Sequence, residues 1–108
     1  MKLVIAIVQD LDEAILSEHL LEHDFRITKL KTSGGFLQKG NATMLMGVED
    51  ERLDECIKVI EENCETRKSK TTFVNPGLDM AYIQSLPMEI NVGGATIFII
   101  DVDRFIRI

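Results

Sequence analysis

Between Phe25 and Val48 the sequence carries Arg26, Lys29, Lys31 and Lys39 and no acid. Between Thr66 and Leu78 it carries Arg67, Lys68 and Lys70, again with no acid. Seven of the 12 basic residues thus fall in two stretches of a chain that has 18 acids and a net charge of −6. Two readings of this clustering stand side by side. Lys and Arg protect exposed sheet edges from pairing with other chains. They also build anion pockets, where backbone N–H groups of a glycine loop and the planar fork of an arginine such as Arg26 hold a phosphate. The loop Gly34-Gly35-Phe36-Leu37-Gln38-Lys39-Gly40 places two apolar side chains between glycines. Phe36 and Leu37 either cover a flat ligand or pack against a neighbouring subunit. Stacking on Phe36 suits a nucleobase and is worth about 1–3 kcal/mol in nucleic-acid systems. Asn41 carries an acceptor and donors that match an adenine edge, as in bidentate Asn–adenine pairs.

Other chemistries lack their residues. No G-x-x-x-x-G-K-[ST] and no strand–G-x-G-x-x-G–helix is present, which excludes a P-loop and a Rossmann dinucleotide site. His19-Leu20-Leu21-Glu22-His23 matches the letters of the inverted zinc-peptidase motif H-x-x-E-H, but no third ligand can be singled out. The two histidines share a helix face, so adventitious metal binding is the most they offer. Ser17, Ser33, Ser69 and Ser85 lack a G-x-S-x-G setting. Cys56 and Cys64 stand about 12 Å apart along one helix, too far for a disulfide, and read as small core hydrophobes. No catalytic residue and no metal site is expected.

A chain of 108 residues fits one domain, 1–108, whose modest core would gain from oligomerisation. The acidic balance argues against nucleic-acid and anionic-membrane partners. No apolar run approaches the roughly 20 residues of a membrane span. The stretch Leu3–Val8 is too short and too β-branched for a signal peptide, so a cytoplasmic location is expected.

Lys2–Val8 reads as a buried strand. Asp10 then caps a helix running to about His23, with Glu13 completing a capping box and Leu16, Leu20 and Leu21 forming its apolar stripe. Leu11 and Ile15 fall off that stripe. Alternation over Phe25–Ser33 predicts a strand, and Asn41–Val48 predicts another. Asp50 caps a second helix whose Leu53, Cys56, Ile57, Ile60 and Cys64 make the cleanest stripe in the chain. Strands are predicted near 67–74, at Met88–Val92 and at Ala95–Val102, with a loop around Asn75-Pro76-Gly77. Val8-x-Asp10 and Val48-x-Asp50 repeat 40 residues apart. Strand–helix–strand twice over points to an α+β, ferredoxin-like βαββαβ plan with an antiparallel sheet and both helices on one face. The other face is apolar and uncovered, which favours oligomerisation through it.

The segments Met1-Lys2-Leu3-Val4-Ile5-Ala6-Ile7-Val8-Gln9-Asp10, Phe25-Arg26-x-Thr28-Lys29-Leu30, Gly34-Gly35-Phe36-Leu37-x-x-Gly40-Asn41, Gly47-Val48 and Val92-Gly93-Gly94-Ala95-Thr96 resemble the PII-like cyclic di-AMP receptor family of Gram-positive bacteria. The resemblance spans nearly the whole chain. It implies a non-enzymatic signal-transduction protein, a homotrimer binding one cyclic di-AMP per subunit interface, with a short loop at about 33–41 and a long one at about 67–87. Carried over by position, it implies that Arg26 contacts phosphate and that Thr28, Asn41 and Gly47 hold one adenine. It further implies that Gly35, Phe36 and Leu37 line the same pocket, and that Gly93 approaches from the adjacent subunit. Ser33 stands where the family commonly has Thr, and the 67–87 loop has its own sequence. The alternatives are a nitrogen-regulatory PII-type adaptor answering to ATP and 2-oxoglutarate, disfavoured by the short middle loop, and a metal-binding trimer of the divalent-cation-tolerance type using His19 and His23.

Overall fold

The computed structural model describes residues 1–30, 40–72 and 87–108, with side chains for 1–30, 40–68 and 91–108. The β-branched run near the start forms β1 (Lys2–Gln9), and β3 (Asn41–Val48) has the bounds its sequence predicts. The two pair antiparallel from Lys2↔Val48 to Gln9↔Asn41. Their period-2 pattern sends Val4, Ala6 and Val8 of β1, with Met44, Met46 and Val48 of β3, into one buried layer. Above that layer lie α1 (Asp10–Glu22) and α2 (Leu53–Cys64), which contribute Leu16, Leu20, Cys56, Val59, Ile60 and Cys64 to the same core.

The sheet order is β2-β3-β1-β6, with β2 spanning Thr28–Leu30 and β6 spanning Ala95–Asp101, all neighbours antiparallel. In a simple βαββαβ count the strand directly after α2 would close the sheet. Here β4 (Arg67–Thr72) and β5 (Pro87–Val92) form a separate two-stranded sheet, and β6 takes the fourth place beside β1. The sequences explain the exchange. Arg-Lys-Ser-Lys-Thr-Thr has no apolar face for a core, whereas Ala-Thr-Ile-Phe-Ile-Ile-Asp does. The result is an antiparallel sheet with two helices on one face, compatible with the ferredoxin-like plan. Its other face presents Leu3, Ile5, Ile7 and Leu45, with Phe98 opposite Ile5 and Ile100 opposite Leu3, both half-exposed.

Three local expectations fail. Asp10 is the first helical residue rather than a cap: Gln9, the last residue of β1, occupies the N-cap position, and no side chain caps α1. Asp50 likewise opens a 3-10 turn, Asp50–Arg52, ahead of α2, and its carboxylate faces the Met1 ammonium at 3.2 Å instead of capping. Leu21 is exposed; the buried side of α1 is Asp12, Leu16, Ser17 and Leu20. The strand expected over Phe25–Ser33 is formed at Thr28–Leu30, with Phe25 buried under the helices' ends, and residues 31–33 lie outside the described residues. So do the 34–39 segment, the end of the 67–74 strand and Asn75-Pro76-Gly77.

Both cysteines are free and buried, as a core reading requires. Burial pushes each thiol up to about 11, and Cys56 Sγ lies 3.9 Å from Met46 Sδ.

Candidate functional site

Thr28 pairs with Leu45 across β2 and β3. Continuing that antiparallel register by two places sets Arg26 opposite Gly47, so Arg26, Thr28 and Gly47 share the end of the sheet where α1 hands over to β2. They line one cleft of about 620 Å³, with Arg52, Phe105 and Arg107 on its walls. Asp24 and Glu49, which flank the acid-free stretch from Phe25 to Val48, also line it, so the fold brings two acids to the cleft.

Gly47 is informative because the chain itself does not demand a glycine there. A Cβ would meet only Met1 Sδ, at an ordinary 3.8 Å. The missing side chain therefore keeps space open toward the cleft. Gly93 is the opposite case. Its φ is +87°, and a Cβ would fall 2.5 Å from the Glu65 carbonyl oxygen, so its own fold requires glycine.

The predicted cluster of cations separates into working parts. Among the described residues no carboxylate pairs with Arg26. Lys29 points to the helix side and reaches Glu13 Oε1 at 2.5 Å. Arg67 donates to Asp12 Oδ1 at 2.6 Å. Lys29 and Arg67 are thus engaged in holding the fold, whereas Arg26 faces the cleft with no carboxylate partner among the described residues.

A network around Arg52 shapes the segment that carries Arg26. The Arg52 guanidinium lies 4.2 Å over the Phe25 ring, donates from Nε to Glu55 Oε2 at 3.1 Å, and donates to the His23 carbonyl. His23 Nδ1 lies 3.0 Å from Glu55 Oε1. Arg52 first and His23 second hold the Glu55 carboxyl below its usual range. Between His23 and Phe25 the chain turns through Asp24 at a φ of 63°, a left-handed conformation rare for a residue other than glycine. Local sequence carries no sign of this network, since Arg52 meets Phe25 and the His23 carbonyl 27 and 29 places away.

Asn41 and Gly93 meet elsewhere. Asn41 stands opposite Gln9 at the other end of β3, and both line a second cleft of about 330 Å³ with Gly93, Gly94 and Thr96. Gln9 Oε1 accepts the Gly93 N–H at 2.7 Å. From Asn41 to Gly47 is six strand residues, roughly 20 Å. One copy therefore holds its expected ligand residues in two groups, Arg26–Thr28–Gly47 and Asn41–Gly93, at opposite ends of the sheet. Gly35, Phe36 and Leu37 lie outside the described residues. Gln9, missed in the sequence, was hidden as the spacer of Val8-x-Asp10.

Among the described residues no group of three or more His, Cys, Asp or Glu side chains converges as a metal site. His19 faces Glu22 at 3.5 Å and His23 faces Glu55, so the two histidines meet separate carboxylates. No described helix is long and apolar enough to cross a membrane.

A family model described as "Cyclic-di-AMP receptor" matches residues 1–108. The fold is similar to a crystal structure of a protein from Pediococcus pentosaceus described as functionally unknown. The two are 42% identical over 99% of this chain and 96% of that one, with a TM-score of 0.77.

Proposed function

The chain belongs to the cyclic-di-AMP receptor family, and from that premise we propose that it is a non-enzymatic, cytoplasmic signalling receptor, one domain per chain, that holds cyclic di-AMP between adjacent copies of a homotrimer. The observation that carries the reading is the pairing of Arg26, without a carboxylate partner among the described residues, with a Gly47 whose missing side chain the described packing does not explain. Arg26 supplies a charge-assisted fork to a phosphate. Gly47 and Thr28 leave room and a hydroxyl beside it.

The split of the site supports the intersubunit placement. Asn41 lies too far along β3 to work with Gly47 of its own copy on a compact ligand, whereas apposed copies bring one chain's amide end to another chain's arginine end. The apolar open face, with Leu3, Ile5, Ile7, Phe98 and Ile100, gives those copies a surface to share. Phe36 and Leu37, between glycines, would close over a base.

Asp24 and Glu49 at the rim of the Arg26 cleft repel phosphate and so confine it to the Arg26–Thr28 side. Ligand is held and released unchanged in this reading. Thermal shift with cyclic di-AMP, cyclic di-GMP, ATP plus 2-oxoglutarate, and zinc tests it in one plate. Stabilisation by cyclic di-AMP alone is expected; a response only to ATP plus 2-oxoglutarate or to zinc overturns it. Incubation with cyclic di-AMP followed by chromatography tests turnover, and steady release of linear dinucleotide or AMP that Arg26→Ala abolishes would refute the receptor role.

A further inference from the structure

The apolar pattern of α1 is loose because the helix has two apolar sides. At 100° per residue, the buried Asp12, Leu16, Ser17 and Leu20 occupy one side. Leu11, Ile15 and Leu21 lie within about 120° of one another on the opposite side and are 54%, 55% and 60% exposed. Single exposed aliphatics are ordinary, but three on one face of a helix whose inner face is already packed form a patch. The patch is about 15 Å long. Ile15 continues it into a groove of about 520 Å³ that runs past Glu62, Asn63, Glu65, Thr66 and Arg67.

We propose that this outer face of α1 is a docking surface for a basic, amphipathic segment of another protein. Charge selects the occupant. Glu18 and Glu22 stand between the aliphatics on the same helix face, and Glu62 and Glu65 border the groove from the end of α2. Arg67, the cation of the groove, is committed to Asp12. A nucleic acid or an anionic membrane is repelled by such a rim, whereas a segment bearing Lys or Arg around aliphatic anchors matches it. The helices lie on the face of the sheet opposite the open apolar one, so association of copies through that open face leaves α1 outermost. Rim ion pairs contribute little each and chiefly set approach and selectivity. The aliphatic contact supplies the hold. The surface goes beyond the ligand reading and rests on the proposed function only for the association of copies through the open face.

Two synthetic helical peptides of 14 residues serve as probes, with leucines at the same positions and Lys in one, Glu in the other, elsewhere. Labelled peptide is titrated against the full chain by fluorescence anisotropy. The Lys peptide is expected to bind and the Glu peptide not. Ile15→Gln with Leu21→Gln should weaken the Lys peptide at least tenfold. Glu18→Lys with Glu22→Lys should weaken it similarly and admit the Glu peptide. No binding of the Lys peptide, or binding that ignores both double variants, overturns the proposal. Sedimentation of the Ile15→Gln, Leu21→Gln variant at the wild-type mass is expected; a lower mass makes a second copy the occupant and also overturns it. A far-UV circular dichroism spectrum and a cooperative thermal melt like those of the wild type show that the variants fold. Absence of a thermal shift with cyclic di-AMP in the wild type would count against the ligand reading alone.

Discussion

Arg67, at the base of the β4–β5 hairpin, reaches across 55 residues to Asp12 on α1, and its Nη2 donates to Oδ1 at 2.6 Å. The Asp12 side chain is 5% exposed and the Arg67 side chain 45%, so a buried carboxylate depends on a half-solvated guanidinium for its counter-charge. The second Asp12 oxygen has no partner among the described residues. With Gly93 N–H held by Gln9 and Gly94 N–H held by the Cys64 carbonyl, this pair fastens the hairpin to the body of the fold.

Arg67→Gln should therefore lower stability measurably, because it strands the buried Asp12 charge. Asp12→Asn with Arg67→Gln should recover most of that loss, since no buried charge remains. Urea unfolding of the two single variants and the double variant measures the coupling. Additive losses would mean that the pair contributes nothing.

The two glycines of the expected site should respond in opposite ways. Gly93→Ala strains a left-handed residue against the Glu65 carbonyl and should lower stability by about 1–3 kcal/mol. Gly47→Ala has space within its own chain and should unfold like wild type, yet bind cyclic di-AMP more weakly. Thermal unfolding and calorimetry on both variants separate the outcomes.

Within the proposed pocket, Arg26→Ala should weaken cyclic di-AMP and cyclic di-GMP alike, because phosphate is common to both. Asn41→Ala should reduce binding by about 1–3 kcal/mol with adenine and much less with guanine. Calorimetry with both dinucleotides decides this, and an unchanged adenine preference in Asn41→Ala removes the base-reading role. Ligand should also protect the amides of 33–41 from hydrogen exchange.

Cys56 and Cys64 should resist iodoacetamide at pH 8 until the protein unfolds, since burial pushes both thiols up to about 11. The linked stability is fully present below the ordinary thiol value of 9.0, where both states keep the proton. It declines as pH rises from there toward 11, because the unfolded chain deprotonates first. Rapid alkylation of the native protein would contradict the burial.

Much of this was legible in the residues. β1 follows from a β-branched run and β3 from an apolar segment, alternate residues of each filling the core, and α2 from a stripe that the structure buries at Cys56, Ile60 and Cys64. α1 was read as a helix but its stripe was misplaced at Leu21, because Asp12 is buried by a partner 55 residues away. The caps failed for a related reason: β1 runs straight into α1 through Gln9, whose amide oxygen serves Gly93. That β6 rather than β4 completes the sheet is a matter of long-range pairing, which local patterns carry only as the contrast between a polar and an apolar strand. Arg26 stands out by residue type, Thr28 and Gly47 only through the family resemblance, and the three line one cleft; the Arg52 network, built by tertiary contact, has no such signal.

The place of β6 beside β1 has a bearing on how the protein is made. Lys2 pairs with Asp101, and the two side chains form an ion pair. β1 is the central strand, yet one of its two edges stays without its partner until residues 95–101 have left the ribosome. Its other neighbour, β3, is complete more than 40 residues earlier. The nascent chain thus carries a half-satisfied apolar strand through most of its synthesis, a state prone to pair with the wrong neighbour. Contacts of such sequence separation also slow folding. A circular permutant that moves β6 ahead of β1 would let the central strand find both edges early, and should refold faster than the natural order.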